Sequence, residues 1–158
     1  MQVITATQLN QWADNIESRS LLPELVKKLI YASKHGLTKV DIPTGEQIQH
    51  PGWDGVVVSD NDSDNNEVFL PNGTCLIEMG TNKDVKNKAE EDYSKRCKDS
   101  LGFDKESCTF LFITPRVWAD GRIWEQKKND AGEWKNVKVI TATILADWIE
   151  HCRGQKKR

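Results

Sequence analysis

The chain has 158 residues, of which 37% are hydrophobic and 29% charged, and its 22 basic and 24 acidic side chains give a net charge of −2. This predicts one globular domain over residues 1–158 and argues against a protein that coats nucleic acid by overall positive charge. No apolar stretch approaches the roughly 18 to 20 residues that span a bilayer, and the first residues do not form a signal peptide. We therefore expect a cytoplasmic protein without membrane contact.

Two helices are predicted at the start of the chain. The first begins near Thr7, because apolar residues recur there at helical spacing through Ile16. The second has Ser20 as its cap and Pro23 in its first turn, and Gly36 closes it. Its predicted buried face consists of Leu22, Leu25, Val26, Leu29 and Ile30.

A β region follows the helices. Residues 39–42 and 53–59 are predicted strands, the second rich in β-branched side chains. The acidic segment 60–66 is predicted to connect to a return strand over 67–70, and 74–80 forms the next strand.

The second half of the chain alternates helices with strands. The predicted elements are a helix over 83–97 with Thr81 as its cap, a buried strand over 109–114, a helix over 118–128, a strand over 137–141 and a final helix capped by Thr141 or Thr143. Alternation after an antiparallel meander predicts an α/β fold of the mixed-sheet kind, with a central mixed β-sheet and helices on both faces.

Several common chemistries are absent from the sequence. It contains no phosphate-binding GxxxxGK[ST] loop, no GxGxxG, no GxSxG and no HExxH. The four cysteines lack zinc spacing, so we expect them to be reduced and partly buried. The three histidines are scattered, which makes nucleophilic catalysis with a histidine base unattractive.

The remaining candidate for a functional site is a pair of carboxylates in the β region. Asp54 starts one strand within PGWDG, and Glu78 ends another within CLIEMGTN, where it interrupts an apolar run. A charged side chain in such a run costs several kcal/mol unless it is paired or coordinates a metal. Together with the backbone carbonyl of Met79, the two carboxylates offer hard oxygen ligands of the kind that Mg²⁺ binds.

A lysine near this pair would stabilise charge on an attacked phosphate. Lys88, on the helix after Glu78, is the first candidate, while Lys83 and Lys86 could instead contact a DNA backbone. A structural alternative stays open, in which Glu78 forms an ion pair with Lys88 or Arg96, Asp54 is only a turn residue and the basic helix face is solvated surface.

Four blocks of the sequence, in this order, carry a family resemblance: LPELVKKLI, PGWDG, EMGTNKDVKNKAEEDYSKR and FLFITPRVW. Over roughly residues 5–150 the chain resembles an N-terminal domain of large bacterial defence proteins. That domain belongs to the restriction-endonuclease-like PD-(D/E)xK superfamily and is often fused to STAND-type NTPases that sense phage. The resemblance implies a restriction-endonuclease-like core.

The resemblance also assigns roles to residues. Asp54 matches the first acidic metal ligand and Glu78 the second, and Glu24 matches a helix-borne acid that adds to the metal site in some branches. The lysine expected two residues after the second acid is replaced by Gly80. Lys88 fits the displaced position that some branches use instead.

The remaining assignments concern support and substrate. The positions expected to shape the site are Thr81, Asn82, Asp92, Tyr93 and Arg96, and those expected to hold the DNA backbone are Lys83, Lys86, Lys95 and Arg96. The implied activity is Mg²⁺-dependent hydrolysis of double-stranded DNA by an endonuclease, with Mn²⁺ as a substitute metal. The chain would be the effector domain of a longer antiphage protein whose sensor region assembles homo-oligomers.

Two alternatives remain at this point. One is a catalytically inactive DNA-binding or protein-interaction module with the same fold, which Gly80 and the slightly negative net charge favour. The other is a nuclease that acts on RNA or single strands.

Overall fold

The computed structural model describes residues 3–45, 52–60 and 68–156, the side chains of 155 and 156 excepted. In chain order the elements are α1 (Ala6–Trp12), α2 (Ser18–Ser33), β1 (Leu37–Asp41), β2 (Gly55–Ser59), β3 (Gly73–Met79), α3 (Val85–Lys98), a short 3-10 helix (Lys105–Ser107), β4 (Cys108–Ile113), α4 (Gly121–Ala131), β5 (Asn136–Ile140) and α5 (Ala142–Lys156). No helix in these ranges is long and apolar enough to cross a membrane.

The strands form one mixed five-stranded sheet in the order β1-β2-β3-β4-β5. β1, β2 and β3 pair antiparallel, whereas β3, β4 and β5 pair parallel. Parallel neighbours need a crossover connection, and α3 and α4 provide these between β3, β4 and β5. The predicted α/β fold with a mixed sheet is confirmed.

The sheet buries a different core on each face. The first face packs against α1, α2 and α5 through mainly aliphatic side chains, among them Ile30, Ile77 and Leu145. The second face packs against α3 and α4 through a cluster rich in aromatic rings, among them Phe110 and Trp124. Successive residues of a strand point to opposite faces, so Ile77 lies on the first face and its neighbour Leu76 on the second.

The five helices are predicted, but the end of the first helix and two of the helix caps are not. The first helix ends at Trp12, which leaves the expected stripe residue Ile16 93% exposed in the turn before α2. Ser20 lies inside α2 instead of capping it, and its hydroxyl donates to the Glu17 carbonyl. Thr81 does not cap α3, because the side chain of Asp84 accepts the Asn87 N–H there.

The return strand predicted over 67–70 is wrong for residues 68–70, the part of it that the structure describes. Residues 68–70 form bends, and β3 pairs directly with β2. Leu70 is buried in the first-face core, and its carbonyl accepts a hydrogen bond from the Lys34 ammonium at 2.9 Å. Packing of this segment onto α2 therefore replaces strand pairing. The predicted acidic connection lies, apart from Asp60, outside the described residues.

Candidate active site

Strand pairing brings the two predicted acids together. In the β2–β3 ladder Gly55 lies opposite Ile77, so extending this register by one residue places Asp54 opposite Glu78. Asp54 Oδ2 accepts a hydrogen bond from the backbone N–H of Met79 at 2.8 Å. Besides burial, the charge of Asp54 contributes to raising the pKa of Glu78, as expected for neighbouring carboxyl groups. The acids thus converge at one end of the sheet.

The residues just before β2 organise the neighbourhood of this pair. Gly52 has φ = 128°, a backbone conformation that favours glycine, and its carbonyl accepts from the guanidinium of Arg96 at 2.7 Å. The next residue, Trp53, lies against the same guanidinium, with 4.8 Å from Arg96 Cζ to the ring centroid. The GWD segment therefore supplies the carbonyl and ring that hold Arg96, and then the acid Asp54.

Glu78 and Arg96 form a buried ion pair. They are 5% and 4% exposed, and Arg96 Nε donates to Glu78 Oε1 at 2.5 Å. Burial, followed by the charge and hydrogen bonding of Asp54, raises the pKa of Glu78 to about 8, although Arg96 opposes the rise. A second positive charge near the two acids would relieve both the desolvation of Glu78 and its repulsion from Asp54.

Asp54 lines an open cleft of about 430 Å³. The other residues that line it are Arg19, Leu22, Pro23, Met79, Gly80, Thr81, Asn82 and Lys88. Glu78 is not among them, whereas Asp54, which immediately precedes β2, is. A substrate in the cleft would meet Asp54 directly.

Lys88 fills the place that a side chain at position 80 would take. A Cβ added to Gly80 would lie 2.8 Å from Lys88 Cγ and 3.0 Å from Lys88 Cε. The Lys88 ammonium donates to Asp92 Oδ1 at 3.1 Å. Asp92 is 8% exposed, burial raises its pKa against the opposing effect of Lys88, and its Oδ2 has no hydrogen-bond partner among the described residues. The absence of a side chain at Gly80 thus leaves room for Lys88 of α3 in the cleft that Asp54 also lines.

Arg96 does not sit where a DNA contact was expected. Its guanidinium is buried and held by Glu78, the Gly52 carbonyl and Trp53. We correct its assignment from backbone contact to support of the acid pair, which agrees with the second role that the resemblance implied.

The other predicted residues lie in three kinds of place: the cleft, the second-face core and the exposed surface. Thr81 and Asn82 line the cleft, and Tyr93 packs in the second-face core against Phe110 and Trp124. Exposed side chains that do not line the cleft are Glu24, Lys83, Lys86 and Lys95. The structure therefore does not bring Glu24 to the acid pair.

Two arginines that the sequence reasoning missed flank the cleft. Arg19 lines it from α2. Arg116 is 6% exposed, and its guanidinium donates to the carbonyls of Thr81, Asn10 and Ala13. The sequence did offer one indication for Arg19: it lies three and four residues before Leu22 and Pro23, and therefore, in a helix, on the same face as they do. Arg116 follows a buried strand and gave no comparable signal.

The described side chains near Asp54 and Glu78 offer few ligands for the predicted Mg²⁺ ion. Within residues 3–45, 52–60 and 68–156, no group of three or more His, Cys, Asp or Glu side chains is placed to hold an ion. A pair of carboxylates with a backbone carbonyl is a smaller set of hard oxygen donors, and it fits Mg²⁺ because this ion keeps several water ligands. The residues present fit a Mg²⁺ ion at Asp54 and Glu78.

Comparison of the chain with protein-family models, with curated proteins and with solved structures finds no match in any of the three.

Proposed function

We propose that the chain is a metal-dependent endonuclease that hydrolyses phosphodiester bonds of double-stranded DNA on a restriction-endonuclease-like core. The observation that carries the proposal is the approach of Asp54 and Glu78 at the end of β2 and β3, beside a cleft that Lys88 also lines. Two acids and a lysine at one sheet end are the groups that phosphodiester hydrolysis with a divalent cation requires.

Asp54, Glu78 and the Met79 carbonyl would hold Mg²⁺, or Mn²⁺ as a substitute. When bound, the ion supplies a Lewis acid for a phosphate oxygen and lowers the pKa of water. Asp54 faces the cleft and fixes the end of β3 through the Met79 N–H. Glu78 contributes a second negative charge that Arg96 keeps in place.

Lys88 would stabilise negative charge on the phosphate under attack. Its side chain lies over Gly80, in the volume that a lysine two residues after Glu78 would otherwise occupy. Asp92 holds its ammonium at 3.1 Å and so limits its movement. The exposed Lys83, Lys86 and Lys95 would contact the DNA backbone without reading bases.

In the wider proposal, the chain is the effector domain of a longer antiphage defence protein. It would work as a homo-oligomer assembled through a sensor region of the STAND-NTPase type. This part rests on the sequence resemblance alone.

Calorimetric titration with Mg²⁺ and Mn²⁺ tests the metal site. We expect the wild type to bind, the Asp54→Asn and Glu78→Gln variants to bind at least about tenfold more weakly, and Asp41→Asn to bind like the wild type. Asp41 is an exposed acid at the end of β1 and serves as a matched control. If the wild type bound neither Mg²⁺ nor Mn²⁺ in this titration, the proposal would be contradicted.

Plasmid nicking by concentrated or artificially dimerised protein tests the activity. Cleavage should require Mg²⁺, stop on chelation and be lost in Asp54→Ala and in Glu78→Ala. Cleavage that survives unchanged in both variants would refute the assignment. Parallel assays with single-stranded DNA and RNA would identify a different nucleic-acid substrate.

The buried Arg96–Glu78 pair favours one second candidate, an inactive module with the same fold. An arginine at 2.5 Å from Glu78 already neutralises that acid without a metal. The calorimetric titration separates the two candidates, since an inactive module predicts no binding at these carboxylates.

A further inference from the structure

Arg19 projects from α2 toward the cleft. Arg19, Leu22 and Pro23 lie at i, i+3 and i+4, so they share one face of the helix, and all three line the cleft. Leu22 is 1% exposed and Pro23 is buried, whereas Arg19 is exposed. The two apolar residues anchor this helix face in the protein and leave the guanidinium at the mouth of the cleft.

The cleft contains two cationic side chains, and only one of them is paired within the described ranges. The Lys88 ammonium is bonded to Asp92. For Arg19 the described part of the chain provides neither a hydrogen bond nor an ion pair, although Asp54 lines the same cleft. An exposed guanidinium that remains unpaired beside an acidic centre is available to an anion from outside the chain.

The start of α2, where Arg19 lies, is tied to Thr81, another residue that lines the cleft. Ser18, its neighbour, is 1% exposed and donates its hydroxyl hydrogen bond to the carbonyls of Ala13 and Asn15. The guanidinium of Arg116 donates to the Ala13 carbonyl at 3.2 Å and to the Thr81 carbonyl at 2.8 Å. Arg116 thereby ties the junction between α1 and α2 to this part of the cleft.

We propose that Arg19 binds a phosphate group of the nucleic-acid substrate in the cleft, an assignment that rests on the proposed function. A phosphodiester carries its charge on two non-bridging oxygens, and the planar guanidinium can donate to both. One such oxygen would face the cation held by Asp54 and Glu78, while Arg19 approaches from the α2 wall. Arg19 is then a substrate-binding residue, and Arg116 is a positioning residue that keeps the two walls in register.

Duplex binding in Ca²⁺, which supports binding without efficient hydrolysis, tests Arg19 by fluorescence anisotropy. We expect Arg19→Gln to weaken binding about tenfold and to reduce the slope of log Kd against log salt by about 1. Arg19→Lys should recover part of the affinity and the full slope, because it restores the charge but not the two-pronged geometry. Lys28→Gln, which removes an exposed charge of the same helix outside the cleft, should change Kd less than about twofold.

Calorimetry on the same variants keeps this inference separate from the proposed function. Arg19→Gln should bind Mg²⁺ at least as tightly as the wild type, because it removes a positive charge near the cation. Equal duplex affinity of Arg19→Gln and Lys28→Gln would overturn the assignment of Arg19 while leaving the metal site intact. Loss of metal binding in Arg19→Gln would overturn it as well, since Arg19 would then act on the acid pair. Absence of metal binding in the wild type would instead remove the proposed function itself.

Discussion

Both faces of the sheet are buried, but they differ in the charged side chains that they bury. On the first face the buried side chains of the sheet are mainly aliphatic and none is charged, and a buried cation, Lys34, lies at the end of α2 and bonds to a loop carbonyl. The second face carries Glu78 inside its core, with Arg96 and Asp92 brought to it by α3. Burial of charge costs stability unless each group is compensated, so the second face gives up stability that the first retains.

That difference indicates where the chemistry lies. On β3 the face changes with every residue, so Ile77 packs in the first-face core while Glu78 enters the charged site. On β3, Ile77 therefore contributes to the hydrophobic core, while the next residue, Glu78, contributes to the candidate site.

Removal of the Arg96 guanidinium should have the largest effect. At pH 9, where Glu78 is ionised, Arg96→Met leaves the buried carboxylate without its cation, which should lower the free energy of unfolding by about 3 to 5 kcal/mol in chemical denaturation. The double variant Arg96→Met with Glu78→Met should recover most of this loss, because no charge is left unpaired. If the single and double variants were equally unstable, Arg96 would matter as packing, and the contrast between the faces would fail.

Removal of Lys88 should affect cleavage more than stability. Lys88→Ala should reduce the rate about 100-fold, equivalent to about 2.7 kcal/mol, because an electrostatic group at the phosphate is lost. Adding Gly80→Lys to this variant should restore part of the rate, since the new side chain enters the volume that Lys88 vacates.

Lys127→Ala, an exposed charge on α4, is the control and should cleave like the wild type. If the folded double variant, Lys88→Ala with Gly80→Lys, cleaved no faster than Lys88→Ala alone, a lysine at this place would not assist the reaction.

Stability should fall as pH rises. The pKa of Glu78 is raised to about 8 in the folded state from 4.5, so its protonated form stabilises the fold fully below pH 4.5 and that stabilisation is lost up to pH 8. We expect a loss on the order of 2 kcal/mol between pH 5 and 9, measured against Glu78→Gln, which lacks this slope.

Mg²⁺ should reduce the loss at high pH, because metal binding requires the ionised carboxylate. For the same reason, Mg²⁺ affinity should increase as pH rises toward 8. Parallel pH profiles for the wild type and Glu78→Gln would contradict the raised pKa.

Much of the fold could be predicted from the sequence, because long apolar runs and helical stripes report burial directly. The strand over Cys108–Ile113 and the stripe of α2 are examples. The segment 67–70 also has strand-like composition, yet the interaction of Lys34 with Leu70 makes residues 68–70 part of a packed loop. Such a contact joins residues 36 positions apart, and local pattern does not reveal it.

The candidate site was predictable to the extent that it breaks a local pattern. Glu78 is a charge inside an apolar run, so the sequence identifies it without reference to other elements. The pairing of Arg96 with Glu78 across 18 positions was only one open alternative, and the contact of Lys88 with Gly80 needed coordinates. Arg19 was missed because it looks like an ordinary surface arginine until the cleft is seen.

A matched pair of small substitutions gives the finest test of the division between the faces. Ile77→Val on the first face removes one buried methylene, and Trp53→Phe on the second removes the indole that contacts Arg96 and donates to the Ser100 carbonyl at 3.1 Å. Each should cost about 1 kcal/mol in unfolding free energy. Only Trp53→Phe should change Mg²⁺ affinity by more than about twofold, because it loosens the arginine that opposes the rise in the Glu78 pKa. If Ile77→Val shifted metal affinity equally, the two faces would be coupled through β3, and the site would depend on the whole sheet rather than on one side of it.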